Sequence, residues 1–376
     1  MRNLGHLSFT IGAAALLANC GAPALVRPSG IDAQNSSVRS ARALTTPHYL
    51  YVTNGHSNDV SAFIINPNSG VLRRLETSPF KARSLPIGLA IDPSGAFMYV
   101  ANGLSGDVSA YVIHASGRLT HVPGQPFAAG SYPWQVAIHP SGKFVYVVNE
   151  SSSNVSAYAI NAGSGALTQI QGSPFAAGYS PAGVAIDPTG AFAYVTNNGN
   201  NNVSGYTINA SSGALTPLHG SPFAAGSSPR KVAISGSFVY LANNGSNNVS
   251  AYAIDPKNGA LTQVPGSPFG AGSSPVAVAI NPAGTFVYVT NQGSNNVSAY
   301  AINTSTGVLT QVQGSPFAAG SNPTAVAVDP TGEFAYVANL GGGVSAFAIN
   351  AGSGALTKVK GSPFSAGSEP YAVTVR

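Results

Sequence analysis

Tyr51-Val-Thr-Asn54, Tyr99-Val-Ala-Asn102, Tyr146-Val-Val-Asn149, Tyr194-Val-Thr-Asn197, Tyr240-Leu-Ala-Asn243, Tyr288-Val-Thr-Asn291 and Tyr336-Val-Ala-Asn339 are one short phrase written seven times. Its tyrosines stand 48, 47, 48, 46, 48 and 48 residues apart, and a Pro-Phe pair keeps step at 79, 126, 174, 222, 268, 316 and 363. Two series locked together in this way mark a repeat architecture, which has to be recognised before any single segment is interpreted.

Residues 181–223 show the content of one unit. Ala182–Ile186 is a β-rich run, Asp187-Pro188-Thr189-Gly190 a turn, and Phe192–Thr196 a second strand. Asn197–Asn202 is a Gly/Asn loop, Val203–Ile208 an alternating third strand, Asn209–Gly213 another turn and Ala214–Leu218 a fourth strand. Gly220–Ser228 then crosses to the next unit. Asn and Gly supply the backbone conformations such turns need, and no stretch carries a helical stripe. Four short antiparallel strands per unit is the blade pattern, so the sequence predicts an all-β, seven-bladed β-propeller spanning 48–376. Tyr51 has no first strand before it, whereas Pro370–Arg376 matches a first strand and then stops. The C-terminal strand is therefore expected to complete the N-terminal blade and close the ring. The recurring Tyr and Phe residues are read as filler between blades. Asp92, Asp187 and Asp329 are read as turn formers, and Asn154, Asn202, Asn248 and Asn296 as loop residues entering third strands despite their Asn-Val-Ser context.

Residues 1–20 read as an export signal: Arg2 gives a positive start and Leu7–Ala18 is an apolar run too short to span a bilayer. Leu17-Ala18-Asn19-Cys20 resembles a bacterial lipobox, with Asn19 standing where a small residue is usual. Lipidation of Cys20, or cleavage nearby such as after Ala22, are the two expectations. Residues 21–47 read as a flexible linker. The expected location is extracytoplasmic, in the bacterial periplasm or at the cell surface when lipid-anchored and otherwise secreted, with the membrane reached only through the lipid anchor.

Charged residues make up 7% of the chain, and the formal net charge is +5. Four of the 16 basic groups and one of the 11 acidic groups fall within residues 1–47, leaving a nearly neutral propeller. No basic stripe with interleaved aromatics is visible, which argues against nucleic acid. No ligand-spaced His/Cys set or phosphate-binding glycine loop is present either, so neither metal nor cofactor is expected, and the chain is expected to be a monomer.

The tetrapeptide repeats resemble the YVTN-type propellers, which shade into the seven-bladed lactonase family that includes 6-phosphogluconolactonase. The closest match is His139-Pro-Ser-Gly-Lys-Phe-Val-Tyr-Val-Val-Asn-Glu150. The resemblance implies a catalytic role for Glu150 and for an Arg-His pair shortly before it, but that pair falls on Trp134 and Gln135. Arg230 and Lys231, leading the equivalent strand two blades on, restore cations without a histidine.

A repeated chain can also be compared with itself, because positions that break its consensus are not required by the ring. By fold-level analogy, the turns before first strands and those between second and third strands share one face. The breaks there are Trp134, Gln135, Glu150, Arg230 and Lys231, with Tyr132, Tyr179, Tyr371 and Glu369 adding aromatic and acidic character. His56, Asp59 and Asp107 lie in the same class of loop, and His56 is the one histidine expected to reach this rim. Trp134 can stack on a sugar ring or anchor a partner, or it can plug the channel. Arg230 offers a fork for a carboxylate or phosphate. The leading expectation is a binding module presenting this face to a small molecule, glycan or protein. The alternatives are a lactonase-type hydrolase using Glu150 with Arg230 or Lys231, and a structural cell-surface protein.

Overall fold

Valine, tyrosine and isoleucine fit a pleated, half-buried surface, while the Gly-, Asn- and Pro-rich stretches between them turn the chain back on itself. The computed structural model describes residues 48–376. The expected signal, Cys20 and linker lie outside the described residues. Within them there are strands and turns but no helix. In blade 4 the strands are Pro181–Ile186, Phe192–Asn197, Asn202–Ile208 and Leu215–Pro217, antiparallel in that order from the channel outwards. Blades 2, 3, 5, 6 and 7 repeat the order from Pro86, Pro133, Pro229, Pro275 and Pro323. Blade 1 takes its inner strand from the far end of the chain. Pro370–Val375 lies antiparallel to Tyr49–Asn54, with Leu50 opposite Val375 and Val52 opposite Val373. The expected closure is the observed one.

One detail differs from the four-stranded expectation. The segment after Leu215–Pro217 does not simply cross over: Phe223–Ala224 pairs with the start of the third strand, Asn202 opposite Ala224. Six blades carry such a two-residue fifth strand, and blade 7 replaces it with a single bridge between Val344 and Phe364. The cause is local. After the Ser221-Pro222 turn, Phe223 returns to the same edge of the third strand, and the Ser221 hydroxyl accepts a hydrogen bond from Gly205 N.

The repeated tyrosine does more than fill space. Tyr51, Tyr99, Tyr146, Tyr194, Tyr240, Tyr288 and Tyr336 are wholly buried. Each donates its hydroxyl to a turn glycine of the following blade: Gly117, Gly165, Gly213, Gly259, Gly307, Gly354 and, across the closure, Gly70. These glycines have φ between 68° and 78°, where a side chain is strained. They also lie close against an aromatic ring of the preceding blade, as Gly213 does on Phe144 and Gly354 on Phe286, leaving no room for a Cβ. The repeated asparagine joins strands two and three within a blade: Asn149 Nδ2 donates to Asn154 Oδ1 at 2.7 Å and to Ser156 Oγ at 2.9 Å. Asn154, Asn202, Asn248 and Asn296 thus act as the expected strand-entry residues. Asp92 and Asp187 accept from the backbone of their own turns, at Phe97 N and Phe192 N.

Candidate functional site at the channel mouth

Every inner strand opens with a β-bulge, in which the two residues after its first proline oppose a single residue of the second strand. Bulges re-aim side chains, and here they do so at one end of the channel. The loop between strands two and three is tied to the same end, as Glu150 N donates to Tyr132 O at 2.9 Å and Asn198 N to Ser180 O at 3.0 Å. The face inferred from the repeat is therefore a real one.

Aromatic or long polar side chains occupy the bulges of blades 1, 3 and 5, at Tyr371, Trp134-Gln135 and Arg230-Lys231, while those between hold Ile87-Gly88 and Ala182-Gly183. Ile87 and Ala182, on blades 2 and 4, are buried. Over them Trp134 of blade 3 reaches in both directions. Its ring meets Tyr371 of blade 1 edge-on at 6.5 Å, and the Arg230 guanidinium of blade 5 lies 5.6 Å from its centroid. Tyr132 stacks on the same ring at 5.9 Å. A cation over an indole face is attractive by about 0.5–2 kcal/mol, and more as water is excluded. Close approach of the inner strands makes room for the cluster. A Cβ on Gly88 would stand 2.5 Å from Trp134 O, and one on Gly183 would run into the backbone of Arg230 and Lys231.

Electrostatics single out the same sector. Burial raises the Glu150 carboxyl above its ordinary range, while Arg230 opposes that rise. The two do not touch: among the described residues the ion pair present is Arg83–Asp107, at 3.2 Å. Lys231 is half-buried and ringed by protein, which pushes its ammonium down to about 8. The repeat asparagines leave an Oδ1 unpaired at 102, 149, 243, 291 and 339; apart from these, three buried polar atoms of blades 3, 4 and 5 make no hydrogen bond within the protein: Gln135 Oε1, Asn198 Nδ2 and Arg230 Nε. Buried polar atoms of this kind call for a partner. Asn198 escaped the sequence reading, although it holds the repeat position that Glu150 holds in blade 3.

His56 takes no part in the aromatic and cation contacts of this cluster. It is exposed over a shallow depression of ≈ 420 Å³ between blades 7 and 1, lined also by Leu340, Gly341 and Glu369. A second depression of ≈ 410 Å³, lined by Tyr206, Pro217 and Pro222, contains none of the residues singled out at the mouth. His139 is buried in its turn, its Nε2 within 2.9 Å of Gly190 O.

The seven-bladed β-propeller lactonase family matches residues 28–126, 111–272 and 264–375. The chain belongs to that family. No curated protein sequence matches it. Among solved structures, a presumptive 6-phosphogluconolactonase of Bacteroides fragilis superposes with a TM-score of 0.78 at 20% identity, covering 89% of this chain and 99% of that one. A Lactobacillus plantarum protein gives 0.74 at 22% identity, covering 88% and 99%. The periplasmic gluconolactonase of Pseudomonas aeruginosa gives 0.73 at 21%, with the same coverage. At such identities the likeness concerns the fold. Within this lactonase propeller, Glu150 stands where the family resemblance places a catalytic carboxylate, and Trp134-Gln135 stand where it places Arg-His.

Proposed function

We propose that this chain is an exported binding propeller whose channel mouth takes a polyhydroxylated ligand carrying an acid or lactone group. The convergence of Trp134, Tyr132, Arg230 and the three unpaired polar atoms in one sector carries this reading. An indole face accepts the apolar face of a sugar ring, and a guanidinium accepts a carboxylate. A hydroxyl can donate to Gln135 Oε1 and accept from Asn198 Nδ2 or Arg230 Nε, relieving donors and acceptors that are costly to leave unmade. The sole tryptophan of the chain lies in the site, so its fluorescence is a built-in reporter. Titration with gluconate, glucono-δ-lactone and cell-wall oligosaccharides should give a saturable change, weakened at least tenfold in Arg230→Ala. A flat titration with every ligand, together with no heat by calorimetry, would discard the reading.

The position and environment of Glu150 favour a second reading, lactone hydrolysis. Its carboxylate would take a proton from water as the water attacks the lactone carbonyl, with Arg230 or Lys231 facing the developing oxyanion. Collapse breaks the ring C–O bond, and the proton returns from Glu150 to the leaving alkoxide. Because burial raises the Glu150 carboxyl, the acid limb of the rate profile should lie above that of an ordinary glutamate. Hydrolysis of glucono-δ-lactone or 6-phosphogluconolactone no faster than in buffer, or unchanged by Glu150→Gln, would remove this reading and leave the binding one intact.

Action outside the cytoplasm is part of the proposal. The apolar run Leu7–Ala18 and Cys20 support it. Labelling with a fatty-acid analogue, lost in Cys20→Ser, tests the anchor.

A further inference from the structure

Compared with its own repeat, the chain breaks rank a second time, far from the channel. Arg73 stands where the other six blades have threonine, and Arg83 where they have glycine. Lys81 replaces an alanine, glycine or serine. Arg74 of blade 1 and Lys358 of blade 7 share a position that is glutamine or proline in blades 3–6, and Lys360 follows on the same edge. All six are exposed. Lysine and arginine are scattered at 73–83 and 358–360 in the sequence, but ring closure makes blades 7 and 1 neighbours. The result is a cationic stripe on two adjoining outer edges. It runs from Arg74, opposite Phe63 in the outer strand, to Lys81, opposite Asp59 near the other end of the third strand. Glu76 and Asp59, the latter opposite Lys81, are the acids on this stretch of edge, and Arg83 is held by Asp107.

Cations on an exposed edge strand can serve simply to prevent edge-to-edge pairing. That function does not explain their location, because the outer strands of blades 3–6 carry no lysine or arginine and present Gln169, Pro217, Gln263 and Gln311 instead. The stripe lies on an outward edge and has no aromatic platform for stacking bases. An extended anionic plane fits it better. The N-terminal segment, whose Cys20 is the lipid attachment proposed above, joins the described propeller at His48 in blade 1, the blade that carries the stripe. A single hydrophobic attachment holds a protein to a bilayer only marginally, whereas attachment plus a polybasic patch holds it stably.

We propose that the outer edges of blades 7 and 1 form a docking surface for a bilayer rich in anionic phospholipid headgroups. This surface would hold the ring edge-on, with the channel mouth to one side and open. The proposal stands apart from the reading of the mouth. It is tested with the purified full-length chain and vesicles of phosphatidylcholine alone or with phosphatidylglycerol added. The variant Arg73→Thr, Arg74→Gln, Lys81→Ala, Arg83→Gly gives each position a residue that other blades already use there, so the repeat is preserved. A second variant, Lys358→Gln with Lys360→Gln, covers the case in which the first fails to fold. A control removes Lys143 and Lys257, which lie off the stripe.

The expected result is tighter binding to the anionic vesicles, weakened as salt shortens the screening length. Each stripe charge removed should cost on the order of fivefold, so the four-site variant should fall by well over tenfold while the control does not. Equal binding to both vesicle types, or equal loss in stripe and control variants, overturns the proposal. So does a stripe variant that keeps vesicle binding but loses retention on duplex DNA or on an acidic protein.

Discussion

Blades 3 and 6 share one skeleton and differ at the mouth. In both, a buried tyrosine donates to the next blade's turn glycine: Tyr146 to Gly213 O at 2.8 Å, and Tyr288 to Gly354 O at 3.0 Å. In both, the repeated asparagine ties strands two and three, Asn149 to Asn154 and Asn291 to Asn296, each at 2.7 Å. Yet the bulge holds Trp134 and Gln135 in blade 3 and Val276 and Ala277 in blade 6, and the loop after strand two begins with Glu150 in the former and Gln292 in the latter. The positions that hold the ring together are therefore not those that differentiate its face. Changes to the first set should cost the two blades alike, and changes to the second should register in one only.

The largest effect is expected where that equality is most exacting. Gly213 and Gly354 both have φ 73° and lie against a phenylalanine of the preceding blade. Gly213→Ala and Gly354→Ala each add left-handed strain and an overlap with the ring, for about 3 kcal/mol in total. Urea unfolding should show the same loss for both. A large loss in only one of them would show that the blades are not mechanically equivalent.

Lys231 should break the symmetry by a comparable amount and in the opposite direction. Its ammonium falls from the ordinary 10.5 to about 8 because it is confined. Below pH 8 both folded and unfolded chains hold the proton, and the folded state bears the full cost, roughly 3 kcal/mol. Between 8 and 10.5 the folded chain has released the proton and the unfolded chain has not, so stability rises with pH. Lys231→Met should therefore stabilise the ring at pH 7, with the gain fading through that window. A gain independent of pH would mean that packing, not charge, is responsible. A cation kept at such a cost, in a position filled by Ala277 in blade 6, fits a role toward an anion.

The closed seven-bladed ring was legible in the sequence because its requirements recur seven times: Tyr51 and Asn54 each have six copies to confirm them. The sector of the mouth was legible for the converse reason, since Trp134, Glu150 and Arg230 have no copies. What escaped depended on geometry between blades. Asn198 resembles its neighbours Asn244 and Gln292, and only burial without a partner sets it apart. Gly88 and Gly183 look like any other glycine until the neighbouring bulge is seen pressing on them. His56 shares the mouth's loop class but lines, with Glu369, the depression between blades 7 and 1. The fifth strand was missed because two residues are too short to show a period.

Next in size is Trp134→Ala against Val276→Ala. The first removes the ring that joins Tyr371, Tyr132 and Arg230, and should weaken ligand binding tenfold or more, about 1.4 kcal/mol. The second should leave binding unchanged. Calorimetry reads both, and similar losses would mean that the ligand engages the whole rim instead of one sector.

The smallest effect tests the skeleton from the other side. Tyr146→Phe and Tyr288→Phe each remove one buried hydroxyl and should cost about 1 kcal/mol, equally. The chain already contains the equivalent experiment on its third strands. Tyr111, Tyr158, Tyr206, Tyr252 and Tyr300 donate to a carbonyl of the preceding blade, at Lys81, Ala128, Ala176, Ala224 and Gly270. Blades 1 and 7 have Phe63 and Phe347 at that place and lack the bond. Phe347→Tyr should let a hydroxyl reach the matching carbonyl of Ala318 and add up to about 1 kcal/mol, because the other five blades show that the repeat accommodates it. If Phe347→Tyr destabilises, then blade 7, which also lacks the fifth strand, packs against blade 6 differently from the other junctions. The equality assumed between blades 3 and 6 would then apply only away from the closure.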